Sequence, residues 1–358
     1  MHRRSFIKTV SAASVIPLVS AGPILASGQK VKTDQQVKTD QPVIKPKRLK
    51  KGDTIGLVAP GSFIKESELK ESITNLESLG FKAVYSENIL SRYGYLGGKD
   101  EERAADINNM FSRKDVDAIM CARGGYGCAR LLGMLDYKII KANPKILIGY
   151  SDITALINAI YTKTGLIGFH GPVGISTFND FSLYYFRNML IDAVDNLTLW
   201  SARDEKPEDL SRKVVPIRSG NAEGQLAGGN LSIVVSLIGT QYDLNTDGKI
   251  IFLEEIGEEP YRVDRMLTQM IEAGKFEKAA GLALGVFEKC EAKEKDPSFN
   301  SSLTLMEVLN DRLYDLGIPV IYGLSFGHIT NKFTLPVGAR AELDVNNQVI
   351  RMLESSVV

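Results

Sequence analysis

The sequence predicts an α/β protein, with an N-terminal parallel, doubly wound sheet followed by a smaller, β-rich α/β unit. Two observations carry this. From Thr54 to Thr164, short apolar segments alternate with amphipathic segments of helical length, the pattern of strands joined by crossover helices. After Asp180 the alternation weakens, and a second set of elements begins only at Leu231. A length of 358 residues suits two domains.

In chain order, Thr54–Ala59 is expected as a strand ending at Pro60-Gly61-Ser62, and Glu66–Leu79 as a helix stopped by Gly80. Ala83–Ser86 is a strand and Lys99–Ser112 a charged amphipathic helix. Ala118–Cys121 is a strand opening into the loop Arg123-Gly124-Gly125-Tyr126-Gly127, with a helix at Cys128–Leu135. Lys145–Ile148 is a strand, Asp152–Thr164 a helix closed by Gly165, and Gly165–Phe169 strand-like. Residues 200–225 are charged and punctuated by Gly and Pro, which suits a crossing between domains. The second unit has helices at Leu231–Ile238, Tyr261–Glu272 and Leu303–Leu316. Its strands are Lys249–Leu253, Gly281–Phe287 and Pro319–Tyr322, and a β-rich end runs through Arg340–Met352.

The N-terminus is of another kind. Residues 1–28 carry Arg3, Arg4 and Lys8 without an acid, and Thr9–Ala26 is apolar and rich in small residues. This spells an export signal, and Arg3-Arg4-Ser5-Phe6-Ile7-Lys8 resembles the twin-arginine consensus. Pro17, Pro23 and the modest apolar length argue against a permanent membrane span. Val31–Gln35 recurs as Val37–Gln41, a polar duplication expected as a flexible tether. The expected organisation is a signal peptide at 1–28, a spacer at 29–49, an N-terminal domain at 50–200, a linker at 201–225 and a C-terminal domain at 226–358. The periplasm or cell envelope is the expected location.

Composition narrows the function. Lys plus Arg and Asp plus Glu balance at 43 each, and loss of the leader's three basic residues leaves 40 against 43. That balance does not fit a general nucleic-acid binder. Cys121, Cys128 and Cys290 make no disulfide framework, and with only His2, His170 and His328 a zinc site is poorly supported. No metal or cofactor is expected.

Ligands of doubly wound sheets bind at loops leaving the carboxyl ends of strands, which selects Arg123–Gly127 and Gly149–Thr154. Ser151 follows the apolar strand and immediately precedes a helix, so its Oγ projects above the sheet with helix-start amides behind it. The plainer alternative is that Ser151 or Asp152 caps the helix. A serine nucleophile needs a base, and the chain without its leader offers only His170 and His328. An orienting carboxylate is also required, for which Glu254 and Glu255 stand at a strand's carboxyl end. The Gly loop lacks the Lys-Ser/Thr of a P-loop, but its amides suit an oxyanion beside Ser151.

Together, Arg123-Gly124-Gly125-Tyr126-Gly127, Gly149-Tyr150-Ser151-Asp152-Ile153-Thr154 and Phe169-His170-Gly171-Pro172 resemble peptidase family S66, the LD-carboxypeptidases. Gly228-Gly229-Asn230-Leu231, Phe252-Leu253-Glu254-Glu255, Arg262-Val263-Asp264-Arg265 and Phe326-Gly327-His328 continue the resemblance, which runs from about Lys50 to Arg351. It implies an active site between two domains, commonly in a homodimer. It further implies a triad of Ser151 as nucleophile, Glu254 as acid and His328 as base. The Asp152 N–H and an amide of Gly124 or Gly125 are the implied oxyanion donors. Arg123, Tyr126 and His170 are expected around the substrate, Arg123 as a candidate for its free carboxylate. The family usually has Glu-Asp where this chain has Glu254-Glu255. The implied substrate is a peptidoglycan-derived tetrapeptide that loses its terminal D-alanine. Rival expectations are hydrolysis of a peptide antibiotic or another acyl-amino acid, and a non-catalytic envelope binding protein.

Overall fold

The computed structural model describes residues 42–202, 213–293 and 295–358. The signal peptide and the spacer up to residue 41 lie outside the described residues, as do residues 203–212 of the expected linker. The rest of the spacer does not follow expectation, because it is packed. Ile44 N–H donates to Gly165 O (2.8 Å), Leu49 is buried, and Arg48 N–H donates to Val358 O (2.8 Å). Two apolar side chains and pairing with the chain's far end fix this segment despite its lysines.

The first half runs β1 Thr54–Val58, α1 Glu66–Ser78, β2 Lys82–Tyr85, α2 Asp100–Ser112, β3 Ala118–Cys121, α3 Tyr137–Ala142, β4 Ile146–Gly149, α4 Thr154–Thr164, β5 Gly168–His170 and α5 Asp180–Leu190. The second continues with β6 Thr198–Trp200, β7 Val215–Arg218, β8 Asn221–Asn230, α6 Leu231–Leu237, β9 Lys249–Ile256, α7 Pro260–Glu272, β10 Gly281–Glu288, α8 Leu305–Leu313, β11 Val320–Leu324, β12 Leu335–Val337, β13 Arg340–Asp344 and β14 Val349–Met352. Strands β2, β1, β3, β4 and β5 are parallel neighbours, and β12 closes this six-stranded sheet antiparallel to β5. The other sheet has eight strands in the order β6-β14-β13-β8-β9-β10-β11-β7. Its centre, β8 to β11, is parallel and its flanks are antiparallel. The result is a two-domain α/β fold, as expected, with mixed sheets.

Each sheet borrows a strand across the expected boundary. Leu335–Val337, from the C-terminal segment, sits in the first sheet with Leu335 opposite His170. Thr198–Trp200, from the N-terminal segment, pairs with β14 in the second. The 201–225 stretch carries β7 and the start of β8 rather than only a crossing. Strand β8 is disguised by its glycines, which it needs. A side chain at Gly228 would place Cβ 1.9 Å from Phe252 O on the neighbouring strand. The expected helix after Cys128 is a 3-10 run, Cys128–Met134.

Helix α4 positions the site. It is apolar on nearly every side, with Leu156, Ile157, Ala159 and Ile160 all buried, as befits a helix covered on both faces. The first sheet lies on one side and the end of β8 on the other. Each large aliphatic residue so enclosed contributes about 1.5–3 kcal/mol. Asn158 Nδ2 donates to Gly228 O (3.1 Å), and Asn230 N–H donates to Thr154 Oγ1 (3.0 Å). Gly229 allows this approach, since a Cβ there would lie 2.5 Å from Thr154 Oγ1. The helix that starts beside Ser151 is thus fastened to the strand that leads towards Asn230 and its neighbours Glu254 and Glu255. Among the described residues, no helix is long and apolar enough to cross a membrane.

Candidate active site

Strand β4 ends at Gly149, and the chain turns through Tyr150 into a 3-10 turn, Ser151–Ile153, before α4 begins. Ser151 has φ 64°, the left-handed region where a side chain is strained. Neither Ser151 nor Asp152 caps α4, whose N-cap is Ile153 without a side-chain bond. Asp152 is buried and its Oδ2 accepts from Cys128 N–H (2.9 Å), tying the serine turn to the end of the Gly loop.

That loop reaches the serine because Gly124 has no side chain. A Cβ there would lie 3.0 Å from Ser151 Cβ and 3.3 Å from its Oγ. Gly125 adopts φ 111°, and a Cβ would fall 2.2 Å from Ser62 Oγ. Arg123 points to Glu68, with Nη1 3.2 Å from Oε1. Tyr126 is 55% exposed and meets Tyr95 edge to face at 5.6 Å.

The acidic pair resolves by strand geometry, since successive side chains on a strand face opposite ways. Glu255 faces the start of α6, where it accepts from Ser232 N–H (2.8 Å), Ser232 Oγ–H (2.6 Å) and Asn230 Nδ2 (3.1 Å). Glu254 faces the histidines. Its Oε2 lies 2.7 Å from His328 Nδ1, and its Oε1 lies 3.5 Å from His170 Nε2. The first is a short hydrogen bond. The second is an electrostatic contact, and among the described residues neither of its atoms has another hydrogen-bond partner. Gly327, at φ 111°, lets the His328 loop rest on Glu254, because a Cβ would sit 3.0 Å from both its Cβ and Oε2.

Burial pushes the Glu254 carboxyl upward, but the flanking His170 and His328 outweigh it and hold it at about 2. Glu254 therefore stays ionised, and the 2.7 Å contact fixes the proton on His328 Nδ1, leaving Nε2 as an acceptor. The His328 side chain is 14% exposed against 3% for His170. A carboxyl depressed on folding adds stability above its ordinary value of 4.5, and loses it as pH falls toward 2. Thermal unfolding should accordingly show wild type more stable than Glu254→Gln at pH 7, with the gap narrowing below pH 4.5. A gap independent of pH would contradict this electrostatic account.

Tyr150 joins the parts. Its ring lies edge to face with His328 at 5.0 Å and with His170 at 6.1 Å. The residue before Ser151 thus packs on the imidazole that Glu254 holds. The structure draws Ser151, Gly124, Glu254, His328 and His170 into one neighbourhood, leaving Arg123 on Glu68 and Tyr126 at an exposed rim. Tyr150 belongs to the serine motif, but the sequence assigns it no role. A buried lysine against its ring, Lys332, had no sequence signal at all.

Comparison with known proteins identifies the family. Residues 55–171 match the LD-carboxypeptidase N-terminal domain of peptidase S66, and residues 223–343 match its C-terminal domain. A probable murein peptide carboxypeptidase of Bacillus subtilis is 37% identical over 307 residues, covering 84% of this chain and 91% of that protein. The crystal structure of muramoyltetrapeptide carboxypeptidase from Oxalobacter formigenes is 31% identical with a TM-score of 0.71, covering 84% of this chain and 97% of that one. The apo structure of the microcin C7 self-immunity protein MccF gives a TM-score of 0.79 at 27% identity, covering 88% and 100%. With both domains matched in order, the chain belongs to the LD-carboxypeptidase family, peptidase S66.

Proposed function

We propose that this protein is a serine carboxypeptidase that hydrolyses the L-to-D amide bond releasing the terminal D-alanine of peptidoglycan tetrapeptides. The observation that carries this is the 2.7 Å contact between ionised Glu254 and His328, beside the strained turn bearing Ser151. His328 Nε2 takes the Ser151 proton as Oγ attacks the scissile carbonyl, and Glu254 stabilises the imidazolium. The Asp152 N–H with an amide of Gly124 or Gly125 receives the oxyanion. His328 then gives its proton to the leaving amine, freeing D-alanine and an acyl-serine that water hydrolyses through the same base. The relatives' names support a murein peptide as substrate. The basic and apolar leader, Arg3 to Ala26, supports export, so the work is assigned to the periplasm or envelope.

Incubation with tetrapeptide muropeptides and mass spectrometry should show loss of one alanine residue and free D-alanine. Unchanged tetrapeptide would end this reading. The likeness to MccF favours a second one, hydrolysis of a peptide antibiotic or another acyl-amino acid. Labelling of wild type but not Ser151→Ala by a fluorophosphonate probe would separate either from a binding protein.

A further inference from the structure

A carboxypeptidase meets its substrate at a free carboxylate, and that carboxylate has little freedom of position. In the leaving residue it lies two bonds from the scissile nitrogen, about 2.5 Å away. Its counter-charge must therefore stand close to the nucleophile. Arg123, the cation expected for this task, is spent on Glu68 at 3.2 Å.

Lys332 is a buried cation packed on Tyr150, the residue that directly precedes Ser151. It lies four residues beyond His328, in the loop between β11 and β12, and its main-chain N–H donates to Ser182 Oγ (3.0 Å). The neighbouring Asn331 Oδ1 accepts from Asn179 Nδ2 (2.5 Å), so the loop is pinned to the start of α5. The residue is only 8% exposed, and its ammonium lies 4.5 Å from the centroid of the Tyr150 ring. The same ring touches His328 and directly precedes Ser151. Among the described residues, no carboxylate makes an ion pair with this ammonium. Glu254, the acid whose charge it feels, is taken up by the two histidines. Burial lowers the lysine to about 8, with Glu254 opposing that shift, so the group is still mainly cationic at neutral pH. A desolvated cation without an anion is costly in a structural role but suited to receiving a charged ligand.

We propose that the Lys332 ammonium binds the terminal carboxylate of the substrate, setting the preference for a free chain end. This rests on the carboxypeptidase reading and adds the group that makes the enzyme exo-acting. The test compares a tetrapeptide ending in D-alanine with the same peptide ending in D-alaninamide. Wild type should prefer the acid strongly in kcat/KM. In Lys332→Met the acid's kcat/KM should fall roughly 100-fold, mainly through KM, as for a truncated buried charge pair. The acid-over-amide preference should then collapse toward one, and Lys332→Arg should keep most of it. Should Lys332→Met fold poorly, Lys332→Gln serves for the same ratio. A preserved preference would overturn the proposal. So would an equal fall for acid and amide, which is what a purely structural lysine beside Glu254 and Tyr150 would give. Binding of both peptides to Ser151→Ala, with and without Lys332→Met, reads the same discrimination without turnover. Discrimination that depends on Lys332 in a wild type that cleaves neither peptide would count against the hydrolytic reading and support the lysine's role. Cleavage with unaltered discrimination would count against the lysine alone.

Discussion

Ser151→Ala should reduce D-alanine release by a factor of about 10⁴ or more, since the remaining groups have nothing to activate. The fold should survive, because the exchange removes one oxygen from a half-buried side chain and leaves φ where it was. A companion substitution makes the expectation sharper. Ser151→Gly is equally without a nucleophile, but glycine accepts φ 64° freely. Left-handed backbone costs other residues about 1–2 kcal/mol, and the freer unfolded chain of glycine returns part of that. The glycine variant should therefore be inactive yet at least as stable as wild type, and up to about 1 kcal/mol more so. Calorimetric unfolding beside the mass-spectrometric assay measures both. More than one per cent residual activity in either variant would remove Ser151 from the role of nucleophile.

His328→Ala should produce a double loss. The base for Ser151 disappears, which again costs about 10⁴ in kcat. In addition, the fully buried Glu254 carboxylate loses its 2.7 Å partner and, among the described residues, keeps the 3.5 Å contact to His170. Breaking a buried pair in this way costs about 3–5 kcal/mol, because an uncompensated charge is left behind. His328→Asn separates the two losses, since its amide still offers Glu254 a donor but cannot act as a base. Denaturant unfolding should rank wild type above Asn and Asn above Ala, with both variants inactive. His170→Ala should cost far less activity than either. If instead His170→Ala matched His328→Ala in kcat, the assignment of the base would be exchanged.

Strands β1 to β4 of the first sheet were legible because they are short runs, each followed by a segment of helical pattern. Ser151 stands out at a strand's carboxyl end, but the residues alone fit helix capping as well, and the nucleophile role rests on the family resemblance. The less legible parts depend on distant partners. Strand β8 reads as a loop until Phe252 supplies the close neighbour that its glycines accommodate. Helix α5 reads ambiguously because Phe181, Tyr184, Tyr185 and Phe186 favour strands as much as helices, and Phe333 stacks on Phe181 only in the fold. Which of Glu254 and Glu255 faces the histidines follows from the faces of β9, which only the folded strand displays. Lys332 resembles any solvated lysine, since neither Tyr150 nor Ser182 is near it in sequence.

Strand β12 has one more consequence, which concerns the order in which the protein is made. When β5 leaves the ribosome, the first sheet has all its parallel strands but an open edge at Gly168–His170. Unpaired edges invite pairing with other chains. Leu335–Val337, the segment that covers this one, is synthesised only after most of the second sheet. A fragment ending at residue 330 would contain Ser151, Glu254 and His328, yet keep the edge exposed and leave the His328 loop tethered at one end only. The newborn N-terminal half is therefore an unfinished object, needing either protection or speed until its last strand arrives.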